Sequence, residues 1–224
     1  MSINIVERID DAVPVRHALV SVSDKAELET LIPGLVETCP EIRFFSTGGT
    51  FQRLKDILGP GQADRLTPVS DYTGQPETQG GLVKTLDFKI YLGLLTETYN
   101  DSHQEDLKRT GAVPIDLVIV NLYPFQQTVA QPDVSVEGAR GNIDIGGPCM
   151  IRAAAKNFIR VAPVVDPADY GELLGALRET GGKTSLALRF RLAQKAFAHT
   201  AAYDGAIAGY LAERSFSEVS GNYR

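Results

Sequence analysis

Apolar and polar positions along the chain switch repeatedly between a strand period and a helix period. HALVSVS (residues 17–23) is an apolar, β-rich run, and the helical pattern KAELETLIPGLVE follows it. Asp24 is expected to be the N-cap of that helix, with Glu27 three positions on as its capping-box partner. RFFST (residues 43–47) is the next strand, broken by Gly48-Gly49 before the helical stretch TFQRLKDIL. Strand, Gly-containing turn, helix, repeated twice, predicts an α/β sandwich. Residues 67–91 are rich in Gly, Thr and Pro and weakly periodic, and their apolar flanks argue for a functional rather than a disordered segment. A helix over HQEDLKRTG ends at Gly111. IDLVIVNLY (residues 115–123) then reads as a central parallel strand covered on both faces. IRVAPVVD (residues 159–166) is a further strand, and Pro167 opens a helix in its favoured first-turn position. From residue 185 to 211 the apolar positions keep helical spacing, as two helices or one long helix broken near Gly205 and Gly209.

Composition narrows the class. The 224 residues suit one domain, read as 17–213 between an N-terminal extension (1–16) closed by Pro14 and a tail (214–224). Twenty-two basic against 28 acidic side chains leave a net charge of −6. That balance argues against a nucleic-acid partner, which needs clustered Lys and Arg, but leaves room for a local basic pocket. Two distant cysteines, Cys39 and Cys149, fit a reducing cytoplasm, and His17, His103 and His199 are too scattered for a zinc site. No apolar run approaches the roughly 20 residues a membrane span needs. The N-terminus lacks the apolar core of a signal peptide, so a cytoplasmic location without membrane contact is expected.

Three polar segments fall at or just after strand C-termini, where open α/β sheets form their ligand crevice: Ser21 to Lys25, Ser46 to Thr50 and Asn121 to Phe125. Thr47, Gly48, Gly49 and Thr50 combine hydroxyls, closely approaching backbone amides and a helix start, and Lys25 could add a positive charge. This is a phosphate cradle or a plain strand-to-helix connection. Lys84 and Thr85 lie between apolar neighbours in the irregular segment, as a packed-down functional pair or a solvated surface. Asp144, between two isoleucines and beside Gly146-Gly147, is expected to be partly buried and to need a partner, as a site residue or as a turn or cap. Arg152 fits a structural ion pair. Lys156 near the end of its helix fits the helix dipole, and His199 a core or surface position.

In order, SVSDK, STGGT, VSDYTG-x-PE, VKTL, PIDLVIVNLYPF, NIDIGG, MIRAAAKN, VVDPADY and QKAFAHTAAYD closely resemble the inosine monophosphate cyclohydrolase family, over about residues 18–211. The resemblance implies a methylglyoxal synthase-like three-layer α/β sandwich with a mainly parallel sheet, plus C-terminal helices. It also implies closure of the purine ring of 5-formamidoimidazole-4-carboxamide ribonucleotide with loss of water, without a metal or organic cofactor. Lys84 would polarise or protonate the formyl oxygen and Asp144 would engage the carboxamide nitrogen. Tyr123 and Lys156 would complete the proton network. Asn121, Ile145 and Gly146 would orient the base, and Ser23, Lys25, Thr47, Gly48, Gly49, Thr50 and Thr85 would hold the ribose phosphate. A homodimer and a separate transformylase supplying the substrate are further implications. Thirteen residues after Leu211 cannot hold a transformylase, so the chain reads as a stand-alone cyclohydrolase or an excised domain.

The chain departs from the family pattern in one loop, GLVKTLDFKIYLG. Leu82 stands for an arginine, Asp87-Phe88 for His-Pro and Tyr91-Leu92 for His-Gly. Leucine cannot imitate a guanidinium, and Asp87 is expected to add negative charge where an anionic ligand binds. A nucleotide-binding regulatory domain that has lost its chemistry, and a methylglyoxal synthase, are the alternatives. Lys156 poses a geometric problem. Eight residues on a helix carry it about 12 Å along the axis from Pro148, and Asp144 precedes that helix, so the loop must fold back or a second subunit must contribute.

Overall fold

The computed structural model describes residues 5–75 and 84–223. Among these the chain runs β1 (Val13–Pro14), β2 (His17–Val22), α1 (Leu28–Thr38), β3 (Arg43–Ser46), α2 (Gly48–Leu58), β4 (Leu66–Pro68), α3 (Val69–Thr73), α4 (Phe88–Leu95) and α5 (Asp101–Thr110). It continues through β5 (Leu117–Asn121), α6 (Phe125–Val129), α7 (Val136–Gly141), α8 (Gly146–Lys156), β6 (Ala162–Val164), α9 (Tyr170–Thr180), β7 (Lys183–Thr184), α10 (Leu186–Ala212) and α11 (Phe216–Gly221).

Five strands form one parallel sheet in the order β4-β3-β2-β5-β6. The middle strand is β2, and β5, expected at the centre, lies beside it. Alternate residues face opposite sides. Val20, Leu117 and Ile119 pack with Leu28 and Ile32 of α1 and Leu173 and Leu177 of α9. Leu19, Val118 and Val120 pack with Ile90 and Leu94 of α4, Ile151 of α8, and Ala193 and Ala196 of α10. Helices on both faces bury both sides of each inner strand, which is why these strands are apolar almost throughout. Each buried Leu or Ile contributes on the order of 2 kcal/mol of transfer free energy. Pro163, which has no N–H to give, is tolerated because β6 is an edge strand.

Buried ions close the end of the sheet away from the strand C-termini. Arg160 pairs with Asp116 at 2.8 Å, and the other Asp116 oxygen accepts the amides of Arg16 and His17. Arg189, fully buried, donates to the carbonyls of Asp10, Asp11, Phe158 and Ile159. With β1 paired antiparallel to β7, the segment before β2 is stitched to the body of the fold.

Several boundaries differ from the sequence reading. Asp24 Oδ1 accepts from the amide of Ala26, two residues on, so the chain makes an Asx turn before any helix starts. Glu27 then takes a left-handed backbone (φ 61°) without a side-chain cap bond, and α1 begins at Leu28. The expected capping box is absent because the helix is entered through left-handed Glu27 rather than from Asp24. α10 is one helix of 27 residues, in which Gly205 and Gly209 face solvent. Each costs about 1 kcal/mol against alanine, and packing of α10 on α8 and β6 offsets it. The irregular stretch is more regular than expected, since it holds β4, α3 and the start of α4. Its residues 76–83, including Leu82, lie outside the described residues.

Candidate active site

Strand order reverses at β2. The chain steps outward to β3 and β4 on one side and returns to β5 on the other, which opens a crevice at the strand C-termini. A cavity of about 430 Å³ lies there, lined by the end of β2, the start of α2, Lys84, Thr85, Asn121, Tyr123 and the segment from Ile143 to Gly147. Of the residues singled out in the sequence as site candidates, all but Lys156 line this one cavity.

One wall is the N-terminus of α2. Gly48 is left-handed (φ 48°), and a Cβ on Gly49 would come within 3.8 Å of Lys25 Cε. The lysine therefore lies over first-turn amides that a helix leaves unpaired, an arrangement suited to an anion. The hydroxyls of Ser21 and Thr47 are 3.1 Å apart at the same end. Thr50 and Asn121 also hold backbone. The Thr50 hydroxyl accepts from the amide of Val22 and donates to its carbonyl, at 3.1 and 3.0 Å, which ties α2 to β2. Asn121 Oδ1 accepts the amides of Ser23 and Asp24, and its Nδ2 donates to the Asp24 carbonyl. Both side chains thus fix backbone that shapes the cavity they line.

The opposite wall is the start of α8. Asp144 Oδ1 accepts from the amide of Gly147 at 2.8 Å, and the Asp144 amide donates to the Tyr203 hydroxyl of α10 at 2.8 Å. A Cβ on Gly147 would sit 2.6 Å from Asp144 Oδ2, and one on Gly146 would strike the Thr85 hydroxyl, so the close approach requires both glycines. Burial pushes the Asp144 carboxyl above its ordinary range, only partly opposed by the amides of Gly147 and Tyr123. Tyr123 and Ile145 are half-exposed at the rim, at 51% and 57%.

Lys156, ten residues along α8 from Gly146, is carried about 15 Å down the helix axis. It opens on a separate hollow of about 530 Å³ with Leu86, Tyr91, Cys149, Arg152 and Phe197. Arg152 lies over the Phe197 ring rather than in an ion pair among the contacts described. Asp87 does not face the ligand cavity. It caps α4, accepting from the Lys89 amide at 2.8 Å and from Gln75 Nε2 at 2.9 Å, and is 6% exposed. The extra negative charge is thereby turned inward. His199 lies off the cavity near Asp166 and Lys195, and burial lowers its pKa. Among the described residues no three His, Cys, Asp or Glu side chains converge as a cation site, and no helix is long and apolar enough to cross a membrane. Cys39 and Cys149 are free thiols.

The family model described as the MGS-like domain matches residues 28–149, just over half of the chain. The chain belongs to the MGS-like domain family. Beyond this MGS-like part, residues 154–223 match the model described as the AICARFT/IMPCHase bienzyme. The bifunctional purine biosynthesis protein PurH of Synechococcus sp. (strain CC9605) is 48% identical over 198 residues, which cover 88% of this MGS-like chain and 37% of the relative. PurH of Sorangium cellulosum (strain So ce56) is 51% identical over 197 residues, or 88% of this chain and 36% of the relative. The MGS-like chain thus spans little more than a third of these relatives. The crystal structure of ForH superposes with a TM-score of 0.73 at 36% identity, covering 87% of this chain and 97% of that one.

Tyr203 and Gly147 were quoted in the sequence only as members of motifs. The Gly147 amide could have been anticipated from an acidic residue three positions before it. Nothing local marks Tyr203, whose partner is 59 residues away.

Proposed function

We propose that the chain is an inosine monophosphate cyclohydrolase. The observation that carries this reading is the convergence of Lys84, Tyr123 and Asp144 in one cavity beside two helix N-termini, in a chain similar to PurH proteins over 88% of its length. The ribose phosphate binds at the start of α2 with Lys25, Thr47, Gly48 and Gly49, where helix amides and an ammonium meet an anion. Ser23 and Thr85 border the same ribose phosphate, with Thr50 and Asn121 holding its frame. The base lies toward Ile145, Gly146 and Tyr123.

Ring closure forms a bond from the carboxamide nitrogen to the formyl carbon. The carboxamide nitrogen gives up one proton on attack. As the C–O bond then breaks, the formamide nitrogen gives up the other and forms the ring C=N, so the formyl oxygen gains two protons and departs as water. Asp144 takes the proton from the weakly nucleophilic nitrogen, and Lys84 stabilises the charge that develops on the formyl oxygen. Tyr123 links the two in the proton network. Because both reacting groups belong to one molecule, holding the attacking rotamer supplies much of the acceleration.

Lys156 reaches this chemistry from a second copy of the chain. Its hollow is apolar, with Leu86, Leu95 and Phe197 each more than a third exposed, as suits a surface that a homodimer covers. A transformylase activity supplies the formylated substrate, and the setting is cytoplasmic, in keeping with two free thiols.

The test is ultraviolet-monitored conversion of the formamido ribonucleotide by purified protein, with Lys84→Ala as control. Inosine monophosphate should form, and the folded variant should lose turnover by orders of magnitude. Folded wild-type protein that binds inosine monophosphate tightly without turnover would instead be a regulatory domain. Product from dihydroxyacetone phosphate would make it a methylglyoxal synthase.

A further inference from the structure

We infer that Tyr203 of the C-terminal helix α10 is a positioning residue for Asp144, and that α10 is therefore part of the catalytic unit. This rests on the ring-closure reading above. The Tyr203 hydroxyl accepts the Asp144 amide at 2.8 Å and donates toward the Asn142 carbonyl at 3.4 Å, so one group spans both sides of the turn that leads into α8. The Asp144 side chain is fixed from the other direction by the Gly147 amide. Backbone and carboxylate are thus held at two separate points, which leaves the reactive oxygens little freedom to swing away from the cavity.

The same helix braces the facing segment. Phe125, 1% exposed and two residues after Tyr123, meets the Tyr203 ring edge-on at 6.2 Å and the Tyr210 ring at 5.8 Å. α10 therefore touches the supports of both Tyr123 and Asp144 without lining the cavity itself. Burial pushes the Tyr203 phenol above its ordinary pKa, which keeps it protonated and able to donate. Tyr203 also lies beyond the 28–149 match, in the 154–223 portion of the chain. A residue that places a reacting group within a fraction of an ångström affects the chemical step more than binding.

Tyr203→Phe keeps the ring against Phe125 and removes only the hydroxyl. In this variant kcat should fall about tenfold, the effect of one ordinary hydrogen bond, with KM within about twofold. The thermal midpoint should stay close to wild type. Hydrogen exchange followed by NMR should show the Asp144 amide exchanging about tenfold faster, while amides of the β2–β5 ladder keep their protection. A wild-type kcat in the variant, or an Asp144 amide whose exchange does not change, overturns the assignment. If the wild-type protein itself closes no ring, the functional reading falls, and the exchange rate still decides whether Tyr203 holds Asp144.

Discussion

As the proposed base, Asp144 would have to be ionised in a place that disfavours its charge. Burial raises its pKa, and this has two consequences of opposite sign. Catalysis by the carboxylate should fail as pH drops through the raised value, so the acid limb of kcat should lie above the ordinary carboxylate value of about 3.9. A limb at or below that value would separate it from Asp144. For stability, a carboxyl whose folded pKa is raised contributes fully below its unfolded pKa, and that contribution is lost as pH rises through the folded value. At neutral pH the charged group is therefore a net cost. Asp144→Asn removes the charge and keeps an oxygen for the Gly147 amide. The variant should unfold at a higher temperature than wild type at pH 7, lose that advantage near pH 3, and be slower in ring closure by orders of magnitude. Equal or lower stability at pH 7 would show that the charged form is well solvated in its cavity.

The loops after β2 and β5 are one element in practice, because Asn121 ties them together with three hydrogen bonds. Asn121→Ala leaves two amides and a carbonyl without that partner, at a cost of about 1–3 kcal/mol if water does not replace it. It should raise KM more than it lowers kcat, because the amides it releases, those of Ser23 and Asp24, lie in the segment that carries Lys25. A steady-state comparison checks this, and an unchanged KM would count against the clamp. The strands and the cavity end of the sheet were legible because buried parallel strands need near-continuous apolar runs and leave their polar residues at the C-terminal ends. The role of Asn121 was not, since position at a strand end does not reveal a partner 98 residues away. Asp87 misled for a related reason. Its charge is visible in the sequence, but not that it caps α4 and accepts from Gln75, twelve residues before it. The Asp24 and Glu27 pair fits a capping box in spelling, and the shorter-range Asx turn prevailed. At Gly205 and Gly209 the conflict ran the other way, with tertiary packing overriding local propensity.

At the scale of the whole molecule, Lys156 is the test of whether one copy of the chain suffices. Rigid α8 begins at the cavity and ends at the second hollow, so no rotamer of a lysine recovers a displacement of about 15 Å along the axis. In the proposed homodimer each site takes Lys84 from one copy and Lys156 from the other. Lys84→Ala and Lys156→Ala proteins should each be nearly inactive alone. Mixed after dissociation and reassociation, half the dimers are heterodimers, and each holds one site with both lysines intact. Such a mixture should regain about a quarter of wild-type turnover, the fraction set by random pairing of two copies. If Lys156 serves its own subunit, every subunit in the mixture carries a defect and nothing returns. If Lys156→Ala alone keeps full activity, the residue leaves the mechanism, and the apolar hollow must be explained by packing alone. Sedimentation of the same samples fixes the mass of the active species, so a failure to mix is read separately from a failure to complement.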